Sequence, residues 1–325
     1  MQQPVFTISL DFEIYWGVSD HRTIESYHEN LKNVPIVVER LLKLFTDRSI
    51  HATWATVGML FCNNKGELET WVNVGDRPTY INNKLSNYSI IPTAGENEDE
   101  DKFHYALSLI RKIIKTPDQE LATHTFSHYY CLEPGQTAMQ FNKDLEAANK
   151  IHQREGNKPV SIVFPRNQYN NEYLDVCRSN NILCYRGNYL SWIYKPEAKS
   201  TESVWKRMAR IADAYIPLSG NKYVFASEDL PGIINIPACC FLRPYNQKLS
   251  FLEPLRLQRI KNEMTAAASR KAIYHLWWHP HNFGKDIDKN FNILESILDH
   301  YELLKKKSGM ISLNMKEIYE RFKNP

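Results

Sequence analysis

Apolar residues along the chain follow two spacings that alternate. Residues 5–10 (Val5-Phe6-Thr7-Ile8-Ser9-Leu10) form a short, nearly continuous apolar run of strand length. Leu31, Val34, Val38, Leu41, Leu42 and Phe45 follow at helical spacing, and residues 52–57 read as a second strand closed by Gly58. The alternation resumes after residue 100. Helices are predicted over 103–114, 139–154 and 172–179, and strands over 120–123, 160–164 and 182–185. Towards the C-terminus, strands at 272–278 and 310–313 alternate with helices at 291–305 and 316–322. Strands and helices in strict alternation predict a parallel α/β architecture, and about seven such units suit a distorted (β/α) barrel. A doubly wound open sheet is the alternative, but no GxGxxG follows any strand.

Two stretches break the pattern. Residues 63–101 are rich in Gly, Asn, Pro and charge, and residues 191–269 are irregular apart from helices expected at 204–214 and 254–267. We read the chain as a single domain over 1–325 with these two insertions, which are expected to rim a pocket and set its substrate.

Composition narrows the function classes. The chain has 325 residues, a formal net charge of +3 and 43% hydrophobic residues, enough for a substantial core. The near-balance of charge gives no footing for nucleic acid. No apolar run approaches the ~20 residues of a membrane span, so no integral membrane segment is expected. The six cysteines form no CxxC pair and read as reduced thiols. No basic region precedes residues 5–10 and no cleavage site follows them, so the expected location is cytoplasmic. Nothing in the sequence fixes an oligomeric state.

The unusual polar residues fall just past strand ends: Asp11 and Glu13, His124 and His128, Arg166, His279 and His281. Singly each has an ordinary structural reading as a helix cap, a surface ion-pair partner or a loop histidine. In a parallel barrel, however, the C-terminal strand ends share one face, and that face carries the site. Two imidazoles four apart and a carboxylate are the makings of a zinc centre with open positions. His275 lies about 13 Å deeper along its strand at ~3.3 Å per residue and reads as a core residue.

Five segments carry a resemblance to a known family: Ser9-Leu10-Asp11-Phe12-Glu13, His124-Thr125-Phe126-Ser127-His128, Phe164-Pro165-Arg166-Asn167, Tyr185-Arg186-Gly187-Asn188 and Leu276-Trp277-Trp278-His279-Pro280. In this order, from near the N-terminus to about residue 285, the chain resembles the polysaccharide deacetylases that share the NodB homology domain (carbohydrate esterase family 4). The resemblance implies a distorted (β/α) barrel of about seven strands and an enzyme that removes N-acetyl groups from carbohydrate. Carried over, it makes Asp11 the general base, with Arg166 orienting and pairing with it, and His279 the general acid. It makes Glu13, His124 and His128 ligands of a divalent metal, zinc by default, with Co2+, Mn2+ or Ni2+ as alternatives. The resemblance would also place Trp192 in the lining of the acetyl pocket. From the residues themselves, Tyr129, Arg243 and His281 are candidate substrate contacts, and a backbone N–H of Tyr129 or Tyr130 a candidate oxyanion donor. The implied partner is an N-acetylated carbohydrate, and the expected cytoplasmic location favours a precursor of a surface polysaccharide over a finished cell wall. The chain departs from the family pattern in carrying Glu13 two residues after Asp11 instead of adjacent aspartates, in placing Pro165 before Arg166, and in lacking the later Asp motif that supports the acid histidine. Two rival readings are a metal-dependent hydrolase of a small cyclic amide and a non-catalytic carbohydrate-binding relative.

Overall fold

The computed structural model describes residues 3–194, 203–216 and 218–324. Within the 191–269 stretch, residues 195–202 and 217 therefore lie outside the described residues. In chain order the elements are β1 (Val5–Phe12), α1 (His28–Lys32), α2 (Val34–Arg48), β2 (Ala52–Thr56), α3 (Lys65–Leu68), α4 (Leu107–Lys115), β3 (Gln119–Thr123), α5 (Ala138–Arg154), β4 (Ser161–Ile162), α6 (Asn171–Ser179), β5 (Cys184–Tyr185), α7 (Val204–Asp213), β6 (Ser227–Leu230), β7 (Ile233–Asn235), β8 (Cys240–Phe241), α8 (Glu253–Ser269), β9 (Ile273–Trp278), α9 (Ile287–Ser308), β10 (Ile311–Ser312) and α10 (Met315–Lys323), with short 3-10 turns between them.

Local sequence explains these boundaries. All eight residues of β1 are buried, as a strand covered on both faces requires. Helix α2 buries Val34, Val37, Val38, Leu41, Leu42 and Phe45 on one face and stops where Ser49 turns left-handed at φ 49°. Helix α5 starts at a capping box between Thr137 and Gln140, and α10 at one between Asn314 and Glu317.

The sheet order is β6-β7-β5-β4-β3-β2-β1-β9-β8, with β10 alongside β1. Every pairing is parallel except β6 with β7. The barrel closes through one continuous segment, residues 233–242. Its Ile236 and Ala238 N–H groups bond Tyr185 O and Gly187 O, both at 2.9 Å, on one side. Its Cys239 and Leu242 N–H groups bond His275 O and Trp277 O, at 2.9 and 2.8 Å, on the other. Among the described residues that gives seven staves: β1, β2, β3, β4, β5, the β7–β8 segment and β9.

The count agrees with expectation, but its membership differs. Residues 310–313 were expected to supply a strand of the barrel; β10 instead pairs only with Val5 and Phe6 at the start of β1. The seventh stave comes from the irregular stretch, where Pro237 splits it into two short pieces that carry little strand signal. All six cysteines are free. Among the described residues no helix is long and apolar enough to cross a membrane.

Candidate active site

The site lies at the C-terminal ends of β1, β3, β4, β5 and β9. Asp11 and Glu13 follow one another at a strand period of two, and both reach towards His279 Nε2, at 3.7 Å from Asp11 Oδ2 and 3.5 Å from Glu13 Oε1. Glu13 Oε2 lies 3.2 Å from His124 Nε2 and 2.9 Å from His128 Nε2. These three residues are buried, and their ligand-capable atoms lie within 4.8 Å of one another. Gly17 makes room for the Glu13 carboxylate: a Cβ there would stand 1.9 Å from Glu13 Cδ.

After β3 the chain does not continue into a helix. It forms a loop with Thr125 at φ 64° and His128 at φ 59°. Such left-handed conformations at non-glycine residues persist only where surroundings enforce them. Here the enforcing group is the buried Asp144 of α5, which accepts from Phe126 N at 2.7 Å, Ser127 N at 3.1 Å and the Ser127 hydroxyl. Burial pushes the Asp144 carboxyl up to about 6, against the opposing pull of those donors.

The donor set suits a divalent cation. His124 Nδ1 lies 2.7 Å from Val163 O, an acceptor for the Nδ1 hydrogen, which leaves Nε2 facing Glu13. Burial pushes His128 down, against the pull of Glu13, towards a neutral ring. Burial alone would raise Glu13, but the charge of His279 and the hydrogen bonds from His124 and His128 outweigh it and hold the carboxyl well below its ordinary range. A buried carboxylate facing the Nε2 atoms of two histidines is a donor set of the kind that holds a divalent cation.

Asp11 is held by Arg186, not by Arg166. The Arg186 guanidinium bonds Asp11 Oδ1 at 2.6 Å and Oδ2 at 2.8 Å, with Ser9 Oγ at 3.0 Å and Asn167 Oδ1 at 2.9 Å as further partners. It is fully buried and lies over the Trp277 ring, 4.2 Å from its centroid. Burial would raise the Asp11 carboxyl, but the charge of Arg186 keeps it below its usual value. His275 closes this network in the barrel interior, 2.8 Å from Ser9 Oγ and out of solvent.

The cleft in front of these groups measures about 370 Å³ and is lined by Asp11, Glu13, His128, Arg166, His279 and His281 together with Trp277, Phe241, Tyr27, Arg22 and Asn282. Arg166 is thus at the site but in another role from the one expected. The turn after β4 is left-handed at both Arg166 (φ 54°) and Asn167 (φ 52°). It sends the guanidinium to Asp20, to Glu133 at 3.2 Å and over the Tyr130 ring at 4.0 Å. His281 lines the cleft and stacks on His279 with centroids 5.1 Å apart.

Three expected substrate contacts fall elsewhere. Tyr129 is buried, its hydroxyl donating to Gln136 at 2.8 Å and Thr137 O at 2.9 Å. Trp192 sits in a short turn whose buried residue is Ile193, which leaves Trp192 70% exposed and outside the cleft lining. Arg243, beyond the end of β8, turns away to Arg210 O at 3.4 Å. The backbone donors expected for an oxyanion are also taken: Tyr129 N–H bonds Thr125 Oγ1 and Tyr130 N–H bonds Tyr80 Oη, both at 2.7 Å. The 63–101 stretch buttresses the His loop instead of lining the cleft, with Asn87 Nδ2 donating to Trp16 O at 2.8 Å and Ser127 O at 3.0 Å. Sequence reasoning missed Arg186, Tyr27 and Asn282. Arg186 stood inside a quoted segment, past a strand end like the residues that were chosen.

No protein-family profile and no curated protein matches this sequence. Solved structures do. A candidate polysaccharide deacetylase of Mycobacterium smegmatis superposes with a TM-score of 0.60 at 12% identity, over 98% of this chain and 90% of that one. A candidate polysaccharide deacetylase of Pseudomonas aeruginosa PAO1 gives 0.57 at 10%, over 97% and 89%. Puue allantoinase also gives 0.57 at 10%, over 97% and 88%. At such identities the likeness concerns the fold, and the fold of this chain is the NodB-like barrel of the polysaccharide deacetylases.

Proposed function

We propose that this chain is a metal-dependent amide hydrolase that removes an N-acetyl group from an amino sugar, a precursor of a surface polysaccharide. One observation carries the reading. Glu13, His124 and His128 form a buried donor set beside a carboxylate–arginine pair, with a solvent-accessible histidine facing both carboxylates. A binding module has no use for that combination.

A divalent cation on Glu13, His124 and His128 would supply Lewis acidity towards the acyl oxygen and lower the pKa of attacking water towards ~7. Asp11, kept ionised by Arg186, takes the proton from water. Arg186 fixes both Asp11 oxygens, so the base cannot rotate away. His279 stands on the cleft side of both carboxylates, 22% exposed, and gives a proton to the departing amine. Trp277 and Phe241 offer apolar faces to a sugar ring. The cleft is near the lower end of the ~300–1,000 Å³ range of ligand pockets, which favours a monosaccharide-sized unit.

The test is acetate release from a panel of N-acetyl amino sugars by the metal-loaded protein, with cyclic amides in the same panel. Turnover of the sugars supports the proposal. Turnover of the cyclic amides alone transfers the same machinery to that substrate class, and turnover of neither leaves a carbohydrate-binding relative.

A further inference from the structure

Most charges that line the cleft come in matched sets. Asp11 pairs with Arg186, and Arg166 with Asp20 and Glu133. Glu13 faces His124, His128 and His279. Arg22 stands apart. It is exposed and lines the cleft, and among the described residues no carboxylate pairs with it. Asp20, two residues before it, is already shared by Arg166 and by His21 Nδ1 at 2.7 Å. With a divalent ion on the Glu13 set, the formal charges of Asp11, Glu13, Asp20, Glu133, Arg166 and Arg186 cancel. Arg22 is then a surplus positive charge on the cleft wall.

The fold holds this residue in place. Its N–H bonds Val18 O at 2.8 Å, and its carbonyl accepts from Tyr15 Oη at 3.3 Å. Its guanidinium lies 5.8 Å from the centre of the Tyr27 ring. Tyr27 also shows which side of the cleft this is. Its ring meets His281 edge-on with centroids 5.6 Å apart, and its hydroxyl donates to Asn282 Oδ1 at 2.9 Å. His281 stacks in turn on His279. Arg22 therefore shares a wall with His279, the residue that gives the departing amine its proton. A general acid stands beside the leaving group, so this wall faces the amino sugar and not its acetyl group.

We infer that Arg22 is a specificity-determining residue that takes an acidic substituent, a phosphate or a carboxylate, carried by the amino sugar. The inference rests on the hydrolase reading above and narrows its substrate class. A planar guanidinium can meet two oxygens of either anion at once. The cleft of about 370 Å³ is lined by both the catalytic groups and Arg22, so one substituted sugar ring can span them.

The experiment is calorimetric titration of zinc-loaded full-length protein with N-acetylglucosamine, its 1-phosphate, its 6-phosphate and the corresponding uronic acid. Wild type is expected to bind at least one acidic sugar on the order of 10-fold more tightly than the neutral one, as one charge-assisted contact typically gives. Which acidic sugar is preferred separates phosphate from carboxylate. Arg22→Gln is expected to remove the preference, and Arg22→Lys, which keeps the charge, to restore part of it. Equal binding of neutral and acidic sugars by wild type, or binding of no acidic sugar, would overturn the inference. So would a preference that persists in Arg22→Gln, as coordination of the anion by zinc would give. Acetate release is read on the same samples. Its absence beside a preference that depends on Arg22 counts against the hydrolase reading alone, and release without any charge preference counts against the inference alone.

Discussion

Arg186 closes on both oxygens of Asp11 from across the barrel, at 2.6 and 2.8 Å, with neither side chain open to solvent. A buried pair of this kind adds little net stability against an apolar pair, but breaking it strands a charge. Arg186→Gln should therefore cost about 3–5 kcal/mol in urea unfolding, and Asp11→Asn on the same background should return much of it. The sign with pH follows from the depressed Asp11 carboxyl. Its contribution is present above the unfolded carboxylate range and is lost as pH falls through the folded value, so Arg186→Gln should flatten that part of the stability curve. Arg166→Gln, whose guanidinium lines the cleft on Asp20 and Glu133, should raise KM more than it lowers kcat. A larger kcat loss in Arg166→Gln than in Arg186→Gln would return the base-orienting role to residue 166.

Gly17→Ala tests the seat of Glu13. The added methyl would collide with the Glu13 carboxylate, a side-chain end that can swing away while the surrounding backbone keeps its course. The variant should fold with its melting temperature little changed yet bind divalent metal on the order of 10–100-fold more weakly, the loss typical of a disturbed ligand support. Unchanged affinity by calorimetric titration would show that the carboxylate position does not matter to the metal.

Asp144 should leave a mark on the pH dependence of stability. Its folded carboxyl is raised to about 6, above the unfolded value of about 3.9. The folded state therefore binds this proton more tightly, and the associated stability, present below the unfolded value, is lost as pH rises from about 4 to about 6. Asp144→Asn removes that dependence, so the difference between wild type and variant should change by up to about 3 kcal/mol across this window and be flat above it. Asp144→Ala should go further and loosen the His loop, with its Phe126 and Ser127 donors unsatisfied, costing about 1–3 kcal/mol. A wild-type minus Asp144→Asn difference that rises with pH would contradict the assignment.

What could be read in the sequence was what lies close together along it. The carboxylates at a period of two, the His pair after β3 and His279 at the end of β9 each announce a strand end, and strand ends share one face in a parallel barrel. What could not be read depends on register between distant strands. Arg186 follows a two-residue strand, and whether it or Arg166 meets Asp11 is decided by two left-handed residues in the turn after β4. Tyr27 and Asn282 are 255 positions apart. Tyr129 looked like a site residue by its neighbours, but the left-handed His128 turns the next side chain into the core. The seventh stave was hidden for a different reason: its pairs are split between two partners and interrupted by Pro237.

The most direct test of the account is metal content measured together with acetate release on the same preparations of wild type, His128→Ala and Asp11→Asn. Wild type should hold one divalent ion per chain and release acetate from an N-acetyl amino sugar. His128→Ala should lose both metal and turnover, and Asp11→Asn should keep its metal while turnover falls by about 10²–10⁴-fold, as for a lost general base. Equal metal in wild type and His128→Ala, or full turnover in Asp11→Asn, would contradict it.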